Sequence, residues 1–261
     1  MKYGVVLPGG TAPEQVAQAV LAERSGWDGV FVWEAAYGID AWTLLAGMAA
    51  ATDRVRLGTM LTPLPWRRPW KVASQAATLD QLSGGRAVLA VGVGAFDPSL
   101  PDGGEITDLR TRAEMMDEGI DLMRTLWSGG ESYQGTHYRF TTPPQEVAAP
   151  VAGSVPIWVV GVWPRPKSMC RVLRCDGFIP QFDDPAPDAL RDATAWLAEH
   201  GVDIDVVVDG ESPADDAARG QVRSWADAGA TWWLETRWAL PHHSEERMAE
   251  IRARLAAGPP V

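Results

Sequence analysis

Cysteine is scarce: Cys170 and Cys175 are the only two in 261 residues. Five residues apart in a helical stretch, they fall on different faces and read as reduced, partly buried thiols. Histidine is nearly as scarce, with only His137, His200, His242 and His243. No H-x-H or H-E-x-x-H spacing occurs, so no metal site is expected. Basic charge is also short. The 23 Lys and Arg against 34 Asp and Glu leave a net charge of −11, which argues against nucleic acid or an anionic membrane as partner. No run approaches the roughly 20 apolar residues that cross a bilayer. The opening "MKYGVVLPGG" lacks the apolar core and cleavage site of a signal peptide. A reduced, cytoplasmic protein is the expectation.

What the chain does have is apolar residues, at 46%, and 13 tryptophans, most of which must be core. Short, near-continuous apolar runs recur at 3–8, 29–33, 55–61, 87–93, 156–161, 176–180, 203–209 and 231–235. That is the pattern of parallel strands covered on both faces. Amphipathic helices lie between them, many closing on a glycine such as Gly26, Gly201, Gly229 or Gly258. Eight such units predict an α/β fold, a (β/α)8 TIM barrel in one domain over 1–261. A doubly wound open sheet is the competing arrangement. Between the fourth and fifth strands the spacing stretches, so an insertion is expected there. Segments 95–108 and 128–155 read as lids.

In "LDQLSGGRAVLAVGVGAF" (79–96) the glycines invite a nucleotide-loop reading. A dinucleotide fingerprint needs G-x-G-x-x-G opening directly into a helix. Here Asp97 takes the third glycine's place, and "DPSLPDGGE" cannot start a helix at once. Gly84 and Gly85 instead end a helix, and Arg86 falls on the barrel's stability side. Gly92 and Gly94 fall at the strand's C-terminal end, where a flat ligand could approach the backbone.

Other chemistries find weaker signals. Glu34, Asp97, Asp209, Glu211 and Glu235 fall near strand ends, where two carboxylates could serve a hydrolase. His137, His242 and His243 could reach the mouth or simply be solvated. In "GVWPRPKS" (161–168), Arg165 and Lys167 at a helix start could grip a phosphate or be ordinary loop cations. Glu34 is the first candidate for proton transfer, since a carboxyl among apolar neighbours tends to a raised pKa. An ion pair with an arginine such as Arg67 is the equal alternative.

The run "RRPWKVASQAATLDQLSGGRAVLAVGVGAF" (67–96) resembles the signature of the luciferase-like flavin-dependent oxidoreductases. The likeness continues in "AERSGWDGVFVWE", "RVRLGTMLTPLPWRRPW", "YQGTHYRF" and "VPIWVVGVWPRPKSMCRVLRCDGFIP". The resemblance implies a barrel that binds FMN or the deazaflavin coenzyme F-420 at its C-terminal face. It implies ring contacts at Trp33 beside Glu34, at Thr59, Met60 and Leu61, and at Gly92, Val93 and Gly94. It implies phosphate contacts at Gly161, Val162, Trp163, Arg165 and Lys167. Many deazaflavin-dependent members carry an Asp-His pair after the second strand, where this chain has "WEAAYG", and that tilts the expectation towards FMN. Trp33, Trp66, Trp163 and Trp238 are available for a water-poor cavity. The implied enzyme is an FMN-using monooxygenase acting on a small organic substrate. A separate flavin reductase and a homodimer are the implied partners. An F-420-dependent hydride-transfer enzyme, a paired-carboxylate hydrolase and a flavin carrier without turnover are the alternatives.

Overall fold

A computed structural model of the chain describes residues 1–36, 38–95, 105–141, 147–213, 217–236 and 245–260. Strands and helices alternate: β1 (Lys2–Leu7), α1 (Ala12–Arg24), β2 (Gly29–Val32), α2 (Ala41–Ala51), β3 (Arg56–Pro63), α3 (Pro69–Ser83) and β4 (Ala87–Gly92). After α4 (Leu109–Trp127) comes a small hairpin of β5 (Tyr133–Gln134) and β6 (Arg139–Phe140). The alternation then resumes with β7 (Ile157–Val162), α5 (Pro166–Val172), β8 (Gly177–Gln181), α6 (Pro187–Glu199) and β9 (Asp205–Gly210). It ends with α7 (Ala217–Asp227), β10 (Trp232–Glu235) and α8 (Glu245–Ala256). The eight strands other than the hairpin close into one barrel in the order β1-β10-β9-β8-β7-β4-β3-β2, every neighbour parallel. This is the (β/α)8 barrel with an insertion after the fourth barrel strand, and each apolar run lands on a barrel strand.

The strands bury both faces because each separates two apolar layers. Inside the barrel, Phe31, Trp158 and Trp232 fill the N-terminal half, with ring centroids 5.3 Å apart for Phe31–Trp158 and 5.2 Å for Trp158–Trp232. Val6, Met60, Val88, Ala90, Ile179, Val207 and Leu234 fill the rest of the interior. Outside, the helices' apolar stripes cover the strands, with Met116, Ile120, Met123 and Trp127 of α4 all buried.

The N-terminal side is locked by polar groups. Gly84 ends α3 at φ +66, with its N–H returning to Gln81 O. Arg86 donates to the carbonyls of Ala49 (3.1 Å), Thr52 (2.7 Å) and Val55 (2.8 Å), capping α2. Buried Asp80 accepts from Val151 N at 2.8 Å and so ties the insertion's return to the barrel floor. Glu118 of α4 accepts from the N–H groups of Thr136, His137 and Tyr138, fastening the hairpin to α4. Cys175 lies past the end of α5, not within a helix with Cys170. It is buried, Cys170 is exposed, and both are free. No helix among the described residues is long and apolar enough to cross a membrane.

Candidate active site

A cavity of about 1070 Å³ opens at the C-terminal ends of the barrel strands. It is lined from β1 by Leu7–Gly10, from β2 by Val32, Trp33 and Glu34, and from β3 by Leu61 and Pro63. The loop after β4 adds Gly92, Val93, Gly94 and Ala95, and β7 and β8 add Val160, Val162, Arg165, Gln181 and Asp183. Parallel strands all end on the same side of a closed barrel, so segments far apart in sequence converge there.

Of the residues expected to hold a cofactor, Trp33, Leu61, Gly92, Val93, Gly94, Val162 and Arg165 line this cavity. Thr59, Met60, Gly161, Trp163 and Lys167 are outside its lining. The register of β3 against β4 shifts between Thr59 and Thr62. Thr59 is fully buried, 2.9 Å from Thr62 Oγ1, and Met60 packs in the barrel interior while Leu61 takes the cavity position. Gly161 faces outward, where an added Cβ would lie 2.6 Å from Phe178 and Val172 side chains. Trp163 packs on Trp196 of α6 at 6.1 Å between centroids. Lys167 is exposed in the first turn of α5.

The loop after β4 is shaped by two features. Gly94 has φ +77, and a Cβ there would lie 3.0 Å from Pro63 and 3.3 Å from Trp66. Only glycine takes that backbone at low cost and so close to the Trp66 ring. Buried Arg112 of α4 then donates from Nη1 to the carbonyls of Val93 (3.2 Å) and Gly94 (2.8 Å), holding the loop against the barrel.

Glu34 is buried in the cavity wall and ion-paired with Arg67. Its other oxygen accepts from Thr62 Oγ1 at 2.5 Å and from Trp42 Nε1 at 3.2 Å. Arg67 in turn donates to Gln75 Oε1 of α3 at 2.8 Å, and burial lowers the pKa of its guanidinium. The other carboxylate candidates lie elsewhere. Glu235 is buried in a separate cluster, accepting from Ser212 N (3.0 Å), Ser212 Oγ (2.6 Å) and Trp233 Nε1 (3.2 Å) and pairing with Arg254 (3.4 Å). Asp209 and Glu211 are exposed and line no part of the cavity. His137 sits on the outer hairpin, 3.4 Å from Glu114. No described residue of 128–155 lines the cavity. Asp97, Trp238, His242 and His243, and residues 96–104 of the other expected lid, lie outside the described residues.

Sequence reasoning missed the lining from Gly9 and Gly10, Ile39, Leu109, Gln181 and Asp183. A glycine pair directly after the first strand was the available signal for the first two.

The comparisons with known proteins agree with this fold. The chain is 33% identical over 76% of its length to a Mycobacterium tuberculosis protein provisionally named a coenzyme F420-dependent oxidoreductase. The match spans only 60% of that relative, less than two thirds of its length. It is 29% identical to an F420-dependent glucose-6-phosphate dehydrogenase of Nakamurella multipartita, over 94% of this chain and 84% of the relative. Its fold superposes on a monooxygenase of Streptomyces bottropensis with a TM-score of 0.79 at 21% identity, over 98% of both chains. A family description, luciferase-like monooxygenase, matches residues 1–258. The chain belongs to the luciferase-like monooxygenase family.

Proposed function

We propose that the protein is an oxidoreductase that transfers hydride between coenzyme F-420 and a small organic substrate in the cavity at the strands' C-terminal ends. The observation that supports it is similarity along most of the chain to relatives named as F420-dependent. This reverses the tilt towards FMN, which rested on the missing Asp-His pair after β2. A likeness over more than two hundred aligned residues outweighs one local departure.

The residues present fit such a group. The loop after β4 brings the backbone of Gly92, Val93 and Gly94 to the cavity wall, and the Leu61 and Trp66 side chains fill the space beside the two glycines, giving an apolar surface on which a flat ring can lie. Bound there, the coenzyme would supply the two-electron redox centre. Trp33, Leu61, Gly92, Val93 and Gly94 would hold the ring, and Val162 and Arg165 would face its anionic end. Leu61, Val160 and Trp66 keep water from that wall. Glu34, expected to move a proton, takes the ion-paired alternative. With Arg67, Thr62 and Trp42 around its carboxylate, we assign it to positioning the end of β2 against β3 and α2.

The sequence "WEAAYG" favours a second reading, an FMN monooxygenase supplied with reduced flavin by a separate reductase. One anaerobic fluorescence titration with F-420, FMN and reduced FMN separates the two. F-420 is expected to bind below about 100 μM, equivalent to roughly −5.5 kcal/mol. Tighter binding of FMN than of F-420 overturns the first reading in favour of the second.

A further inference from the structure

The cavity's lining sorts by chemistry around the barrel. Its polar lining comes from Gln15 of α1, Arg165 after β7, Gln181 at the end of β8 and Asp183 beyond it, whereas the lining that follows β2, β3 and β4 is apolar apart from Glu34, which Arg67 neutralises. Three large apolar side chains on this side stay in water: Trp33, assigned above to the ring, and two that no role yet covers. Ile39, just before α2, is 40% exposed, and Leu109, the first residue of α4, is 54% exposed. Both line the cavity, with Leu61 and Val160 continuing the apolar wall inward. Exposed apolar side chains around a concave site mark a surface that an apolar ligand completes. A volume of about 1070 Å³ lies at the upper end of the range for ligand sites, which leaves space beside a ring cofactor.

We propose that the substrate is an uncharged, hydrophobic molecule whose apolar end packs against Ile39 and Leu109, and that these two residues set substrate specificity. The proposal rests on this cavity being the active site but not on which coenzyme it takes. A phosphorylated sugar would bring its charge to a wall that offers carbon instead.

The test uses the full chain and N-phenyl-1-naphthylamine, an uncharged dye that brightens in apolar sites, displaced by a homologous series of straight-chain secondary alcohols. Each added methylene is expected to tighten displacement by roughly fourfold, the worth of burying one CH2. Glucose 6-phosphate is expected not to compete. Ile39→Asp and Leu109→Asp should each weaken dye and alcohols by about tenfold or more, because the charge loses water when the site fills. The thermal midpoint and F-420 affinity should stay put, since Leu109 opens α4, where an acid suits the helix dipole. Ile39→Ser and Leu109→Ser serve if either acid disturbs folding. Absent dye binding, a flat chain-length dependence, preference for glucose 6-phosphate, or unchanged affinity in all variants overturns the proposal. Chain-length dependence without F-420 binding would uphold it and defeat the coenzyme reading. F-420 binding with a flat series would do the reverse.

Discussion

Glu34, just past the end of β2, and Arg67, just past β3, form an ion pair whose carboxylate side chain is 6% exposed and whose guanidinium side chain is 26% exposed. The pair joins two strand ends across the wall of the cavity. Arg67→Met strands a buried carboxylate and should cost about 3 kcal/mol, read as a lower urea midpoint. Adding Glu34→Gln should recover part of that loss, so a double-mutant cycle should give a coupling above about 1 kcal/mol. A coupling near zero would show that the pair contributes nothing.

Arg112 holds the loop after β4 through the carbonyls of Val93 and Gly94. Arg112→Met should cost about 2 kcal/mol of stability, since a charged donor to buried carbonyls is lost. Cofactor affinity should fall with it, and Arg112→Lys should restore more affinity than stability. Equal cofactor affinity in wild type and Arg112→Met would remove the loop from the binding site.

Two glycines of one β/α unit should respond differently to alanine. Gly94→Ala meets both a positive φ and the Pro63 and Trp66 side chains, and should cost about 2 kcal/mol and reduce cofactor binding. At Gly84 the φ is +66 but nothing lies within 4 Å of an added Cβ. Gly84→Ala should therefore cost only about 1 kcal/mol, with no change in affinity. Arg86→Ala belongs with Gly84: a marked loss of stability and an unchanged cofactor titration.

Acid sensitivity should trace to Glu23 and Glu118. Burial pushes both carboxyls up, but backbone N–H donors outweigh it: Arg54, Val55 and Asp53 on Glu23, and His137, Thr136 and Tyr138 on Glu118. Both pKa values therefore lie below the ordinary 4.5. A depressed folded-state pKa gives stability that is complete above 4.5 and is lost as pH falls through the lower folded value. Glu118→Gln should lower stability at neutral pH, flatten the pH dependence below 4.5 and speed amide exchange in the hairpin. An unchanged acid limb in that variant would place the sensitivity elsewhere.

The barrel was legible because its cause is local. A strand covered on both faces must be apolar along its length, and a helix on its surface must carry one apolar stripe, so both periods are written into neighbouring residues. Gly84 and Arg86 could be placed on the structural side from sequence alone, since a helix end followed by a strand fixes which end of the barrel they occupy. The end of β4 was readable for the same reason: Gly92, Val93 and Gly94 all reach the cavity.

Closure of the barrel decided the rest. Met60 turned into the barrel and Thr59 was buried against Thr62 and the Ala90 carbonyl, where the β3 register shifts against β4, and a one-residue slip exchanges the faces of a strand. Ile39 and Leu109 belong to segments that sequence separates by 70 residues, yet both reach the same cavity. Glu34 and Arg67 carried both possibilities in the sequence, an isolated acid or an ion pair. Only the approach of two strand ends, fixed by packing far from either residue, selected the pair. Local periodicity chose the elements, and long-range packing chose which side chains face one another.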